Sequence, residues 1–96
     1  MNTAKQVESV IKHELFLRSG ATTIGRSSNN SITLNGEGVS HNHAIIITLN
    51  KIAYIHDLGS LGGTYVNGTP IKSLILRYGD TVTIGNHSIV ITGFSN

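Results

Sequence analysis

Ninety-six residues with 39% hydrophobic and 12% charged side chains describe one folded domain: a chain this short closes around a single core, and it is too apolar for a disordered tract. The net charge is +2, and the seven Lys and Arg are scattered from Lys5 to Arg77, so there is no basic stripe to neutralise a run of nucleic-acid phosphates, and the high pI carries little weight. The absence of Cys excludes a disulfide framework and a thiolate metal site, and no apolar run approaches the ~20 residues that span a bilayer.

Met1 to Lys12 lacks the charged head and apolar centre of a secretory signal, so a cytoplasmic setting is the expectation. The same segment reads two ways. Val7, Val10 and Ile11 keep i, i+3, i+4 spacing, with Thr3 and Gln6 as a capping box for a helical turn; alternatively it is a first strand. From Leu15 onward the chain consists of short β-branched segments punctuated by Gly, Asn and Ser, the pattern of an all-β sandwich or barrel. Strands are expected at Glu14 to Arg18, Thr22 to Gly25, Ser31 to Leu34, His43 to Leu49, Ile52 to Leu58, Thr64 to Val66, Thr81 to Ile84 and Ser88 to Thr92.

Period-2 alternation is clearest where Val82 and Ile84 oppose Thr81 and Thr83, and where Ile52, Tyr54 and Leu58 share a face, so these strands should have one wet side. His43 to Leu49 is apolar almost throughout, which predicts a central strand between covered faces with Ile45, Ile46 and Ile47 in the core. Asn35-Gly36, Asn67-Gly68, Tyr78-Gly79-Asp80 and Gly85-Asn86 supply residues that tolerate positive φ and should each link neighbouring strands. Pro70 follows one of these turns, where its missing N–H costs nothing at a strand start or a sheet edge. No internal repeat or linker divides the chain, so residues 1–96 are read as one domain.

Three clusters lie where strands end: Ile24-Gly25-Arg26; Val39-Ser40-His41-Asn42-His43-Ala44; and the Gly-rich run from Asp57 to Gly68, which contains Leu61-Gly62-Gly63-Thr64 and Asn67-Gly68. In this order and spacing they resemble the forkhead-associated (FHA) domain, whose signature is G-R, then S-x-x-H, then a Gly-Thr turn leading to N-G. Tyr78-Gly79-Asp80 through Ile84-Gly85 is similar to that family's ending, and the resemblance covers Leu15 to Thr92. It implies a twisted two-sheet β-sandwich with ligand-binding loops at one end, a phosphothreonine-bearing protein segment as partner, and a recess for the threonine methyl group.

Arg26 is a fixed cation at a strand end, and its planar fork matches a phosphate oxygen pair better than Lys would. Ser40 offers a hydroxyl and a backbone N–H for a second phosphate bond. His41 occupies the place where the family often carries Arg, Lys or Asn beside the ligand, so it is expected to donate a third bond, more strongly when protonated. His43 matches the motif histidine that supports the loops from within. Gly25, Gly63, Thr64, Asn67 and Gly68 read as architecture, Asn-Gly being the pair a type I′ turn favours.

Leu61 and Gly62 depart from the family pattern, which often has a small polar residue and then Asn before Gly-Thr. In the family that Asn clamps the peptide main chain and the preceding hydroxyl can reach phosphate. Gly62, expected to contact the phosphopeptide together with Arg26, Ser40 and His41, is expected to keep the positive φ that Asn tolerates, so the turn survives while affinity falls. The departure also favours an alternative: an interaction domain of this fold with no phosphate dependence.

Other chemistries find less support. Ser40, His43 and Asp57 are the residue types of a hydrolytic triad, but no G-x-S-x-G elbow is present. Gly59 to Thr64 has no following Lys and is no Walker loop. His41 and His43 share a face if extended, and His56 could join them around a metal, yet no closed four-ligand spacing exists. Neither an enzyme, a metal site nor a cofactor is expected.

Overall fold

The computed structural model describes residues 9–95. In chain order the strands are β1 (Ile11–Leu17), β2 (Gly20–Gly25), β3 (Ile32–Thr33), β4 (Ala44–Leu49), β5 (Ile52–Asp57), β6 (Thr64–Val66), β7 (Thr69–Ile71), β8 (Ser73–Leu76), β9 (Thr81–Ile84) and β10 (His87–Phe94), with no helix among the described residues. Two five-stranded sheets result, ordered β1-β10-β9-β6-β7 and β3-β2-β4-β5-β8. All pairings are antiparallel except β1 with β10 and β2 with β3. The all-β two-sheet expectation holds. Ile11 and Lys12 belong to β1, which answers the strand-or-helix question for the end of the first segment; residues 1–8 lie outside the described residues.

Alternation decides what goes inside. In β9, Val82 and Ile84 are buried and Thr81 and Thr83 are half-buried. From the facing sheet Ile24, Ile46 and Ile55 meet Ile84, Ile89 and Ile91, and each is at most 1% exposed. Each such side chain contributes about 1.5–3 kcal/mol of apolar burial.

β4 is central in its sheet, but only one of its faces is covered. Ile46 is buried, Ile45 is half-buried and Ile47 is 39% exposed, so the expectation that all three are core is corrected. The alternation of Ile52 and Tyr54 likewise marks the outer face of β5, while Ala53 and Ile55 face inward. A run of apolar residues shows that a strand is sticky, not how many of its sides are covered.

The Asn67-Gly68 turn joins β6 to β7 with both residues at positive φ, 51° and 84°, as a type I′ hairpin needs. Gly85-Asn86 joins β9 to β10. The other two turn signals do not link neighbours: Asn35-Gly36 opens the long loop from β3 to β4, which flank β2, and Tyr78-Gly79-Asp80 crosses from one sheet to the other. Asn50 and Lys51 form a further tight turn, φ 55° and 64°, between β4 and β5.

At the start of β10 the buried His87 ties three segments together. Its Nε2 lies 2.6 Å from the Asn35 carbonyl and its Nδ1 lies 2.9 Å from His13 Nε2 on β1. A carbonyl only accepts, so His87 donates from Nε2, and with that tautomer its Nδ1 accepts from His13 Nε2–H.

Candidate functional site

Three loops meet at one end of the sandwich: 26–31 after β2, 34–43 between β3 and β4, and 58–63 between β5 and β6. β2 ends at Gly25, where a Cβ would overlap the His41 carbonyl. That close approach lets Arg26 N–H donate to the Ser40 carbonyl (2.9 Å) and Ser27 N–H to His41 (3.2 Å). The Asn30 side-chain amide donates to the carbonyls of Ser27 and His41, each at 2.9 Å. The first two loops are thereby sewn together through their backbone groups and the Asn30 side chain.

Arg26 is exposed but not free-swinging. Its Nε donates to the Val39 carbonyl at 3.1 Å and its Nη2 donates to His41 Nε2 at 3.2 Å. Two of its five N–H groups are used to fix the plane of the guanidinium, and the remainder are available to a ligand. His41 accepts from Arg26 at Nε2, so the nitrogen left to donate to a ligand is Nδ1; in this geometry a protonated His41 would set two cations against each other unless an anion lay between them.

Ser40 divides its groups. Its backbone N–H donates to His43 Nδ1 at 3.0 Å, so the expectation that this N–H meets phosphate is corrected. Its Oγ accepts from Leu61 N–H at 3.2 Å, which leaves the hydroxyl proton to donate outward. His43 is fully buried and donates from Nε2–H to the Gly63 carbonyl at 2.9 Å. It therefore clamps the second loop to the third, the supporting role its sequence position suggested.

The same bonds bear on the triad. Both nitrogens of His43 are committed to backbone groups, and Asp57 Oδ1 stands 4.0 Å from Nε2, so the ring has no site for the Ser40 hydroxyl proton. His41 and His56 go elsewhere: His56 Nδ1 pairs with Ser73 Oγ at 2.7 Å on the outer face of β5. Among the described residues the three histidines do not converge.

Asp57 shapes the third loop. One oxygen accepts from Ser60 Oγ (2.5 Å) and Thr64 Oγ1 (2.7 Å), the other from the amides of Gly59 and Ser60 (3.0 Å each). Burial alone would raise its pKa, but the bonds from Ser60 and Thr64, helped by His43 nearby, hold it below the ordinary carboxylate value. Thr64, predicted as architecture, is buried in this role. Asn67 is architectural too: its amide donates to Asp80 Oδ1 (2.9 Å) and its Oδ1 accepts from Thr81 N–H (3.0 Å).

The expectation for Gly62 is overturned. The positive φ belongs to Gly63, at 86°, and Gly62 is not in that region. A Cβ on Gly62 would sit 2.6 Å from the Gly38 carbonyl oxygen, so this glycine is required by backbone contact between the second and third loops.

Between these loops lies a cleft of about 720 Å³ lined by Arg26, Gly36, Glu37, Gly38, Val39, Ser40, His41 and Leu61. Its lining includes the charged Arg26 and Glu37, the Ser40 hydroxyl and Leu61, which is 99% exposed. Of the four contacts expected from sequence, Arg26, Ser40 and His41 line this cleft; Gly62 lines a smaller one that shares Leu61, with Asp57, Tyr65 and Lys72. Sequence reading missed Asn30, Gly38 and the bracing by Asp57; an Asn shortly after Gly-Arg was the one available signal, and it looked like an ordinary turn residue.

Comparison with known proteins identifies relatives of the whole fold. The FHA domain family profile matches residues 22–85. The glycogen accumulation regulator GarA of Mycobacterium tuberculosis is 40% identical over 79 residues, which make up 81% of this chain and 49% of GarA. The ABC transporter ATP-binding/permease protein Rv1747 of the same organism is 38% identical over 77% of the chain and 9% of its own length. Thus the chain spans about half of one of these relatives and a small part of the other. Among solved structures, the FhaA FHA domain complexed with the intracellular domain of Rv3910 superposes with TM-score 0.69 at 36% identity, covering 73% of this chain and 77% of that one. Mycobacterium tuberculosis EmbR in complex with a low-affinity phosphopeptide gives TM-score 0.73 at 32% identity over 80% of this chain and 21% of that one.

Proposed function

The chain belongs to the FHA domain family, and from that premise we propose that it is a binding module for phosphothreonine-containing protein segments, not an enzyme. One observation carries the reading: Arg26 is an exposed guanidinium held in place by Val39 and His41 at the wall of a cleft that also takes the Ser40 hydroxyl. Fixing donors before the ligand arrives lowers the entropy lost on binding. A phosphate dianion placed there accepts charge-assisted bonds from Arg26 and a neutral one from Ser40. It also supplies the anion that lets a protonated His41 remain beside Arg26. Val39 and the glycines next to it offer apolar room for the threonine methyl group.

Support from relatives is specific to recognition: EmbR is described with a phosphopeptide, and another solved relative, 36% identical with TM-score 0.69, under phosphothreonine-dependent FHA domain interactions. A cytoplasmic setting and the absence of a nucleic-acid, membrane or metal partner form part of the same reading. A second reading, protein binding without phosphate, is favoured by Leu61, an apolar side chain that stands fully exposed at the cleft where the family often has a polar residue. Calorimetric titration with one peptide in threonine and phosphothreonine forms decides between them. Binding of the phosphorylated form alone supports phosphate recognition; identical isotherms establish the second reading.

A further inference from the structure

From its backbone and flanking charges, we propose that the free edge of β8 is a second docking site, which takes an extended, acid-flanked segment of a partner protein as an added strand. Among the described residues β8 ends its sheet and pairs with β5 alone. Asp57 N–H donates to the Lys72 carbonyl, and antiparallel pairing alternates, so residues 72, 74 and 76 turn their backbone groups to β5. Ser73 and Ile75 turn theirs to the open side. The edge is also apolar: Leu74 and Ile75 are 40% and 48% exposed. A groove of about 480 Å³ lined by Tyr54, Ser73, Leu74, Ile75 and Arg77 runs along it.

Edges of this kind are commonly blunted by a charge, a proline or a bulge within the strand. Ser73-Leu74-Ile75-Leu76 has none of these, and its charges stand just outside, at Lys72 and Arg77. Neither side chain forms a salt bridge among the described residues. The carboxylate nearest Arg77 in sequence, Asp80, is held by the Arg77 backbone N–H and the Asn67 amide. Lys51 adds a third cation at the β4–β5 turn. The outward side chains of the sheet beside this edge, among them Ile45, Ile47 and Tyr54, include no carboxylate.

Charge selects the occupant. Antiparallel pairing of two copies through β8 joins Ser73 of one to Ile75 of the other, which sets Lys72 opposite Leu76 and one residue from Arg77, so like charges gather at both ends and repel. A segment with alternating apolar residues and Asp or Glu on each side satisfies the backbone groups, fills the groove and meets both cations. The site is independent of phosphate recognition.

The probe is the unphosphorylated peptide Asp-Asp-Val-Thr-Val-Thr-Val-Asp-Asp, compared with its Lys-flanked counterpart, read by amide resonances of the labelled domain. The acid-flanked peptide should shift and protect the Ser73 and Ile75 amides, bind about five- to tenfold tighter than the Lys-flanked one, and leave the Arg26 and Ser40 resonances in place. Ile75→Pro removes an outward N–H without breaking the β5 ladder, as an edge allows, and should abolish binding. The double variant Lys72→Glu, Arg77→Glu keeps the backbone intact and should invert the peptide preference, which decides the matter even if Ile75→Pro fails to fold. Equal affinity for both peptides, no response at β8, or self-association of the wild type that Ile75→Pro abolishes would overturn the proposal; the last would assign the edge to a second copy.

Discussion

Replacing Gly62 by Asn sets two effects against each other at one position, and the structure says which wins. Family resemblance suggests that an Asn here restores a clamp on the peptide main chain, a neutral hydrogen bond that nets about 0.5–1.5 kcal/mol. Yet the new Cβ would lie 2.6 Å from the Gly38 carbonyl oxygen and 3.2 Å from the Gly38 Cα. Relief to an ordinary carbon–oxygen contact of about 3.3 Å needs the loops to part by about 0.7 Å. Both sides of this contact are backbone, so no side chain can swing away, and overpacking of that kind costs about 1–3 kcal/mol. The displaced loop also carries the Val39 carbonyl that holds Arg26 and the Ser40 hydroxyl, so the site loosens as the fold does. Gly62→Asn and Gly62→Ala should therefore both lower the Tm, by about 4–8 °C per kcal/mol in a domain of this size, and both should weaken a phosphothreonine peptide. Differential scanning calorimetry and isothermal titration of the two variants give the comparison. Wild-type melting of Gly62→Asn together with tighter phosphopeptide binding would show that the loops are not locked by this contact.

Arg26→Ala should cost about 1.5–3 kcal/mol of phosphothreonine-peptide affinity and Ser40→Ala less, since only the first removes a charged donor; calorimetric titration measures both. His13 is held below its ordinary value of 6.5, chiefly by burial and then by the neighbouring His87. Its contribution to stability is thus complete above about pH 6.5 and is lost as the pH falls through its lower folded value, because the unfolded chain takes up the proton first. Urea midpoints should fall with acidification over that window in the wild type and fall less in His13→Gln. Asp57→Asn swaps an acceptor for a donor among four donors and should destabilise by about 1–3 kcal/mol, seen as a lower Tm at neutral pH. With its pKa depressed, the Asp57 contribution persists to acid pH, and the gap between the two proteins should close only as the pH falls through that lowered value.

What the sequence determined by itself is local: strand against turn, and the residue types gathered at strand ends. Asn67-Gly68 announces its hairpin because few residue pairs accept two positive φ angles, and Val82 with Ile84 announces a buried face through alternation alone. Arg26, Ser40, His41 and His43 were legible because their spacing carries the family pattern. β7 and β8 were not: each is short, β7 contains Pro70, and most of their side chains are exposed, so neither shows a period. Tertiary structure alone decided that Ile47 faces outward, since a continuous run of apolar side chains reads alike whether a second layer covers it or not. It decided that the Ser40 N–H belongs to His43 and that Gly62 meets Gly38, because both facts depend on how closely two loops distant in sequence approach. A backbone group declares no partner in the sequence; only the packing of the sheets brings one within reach and settles which donors remain for a ligand.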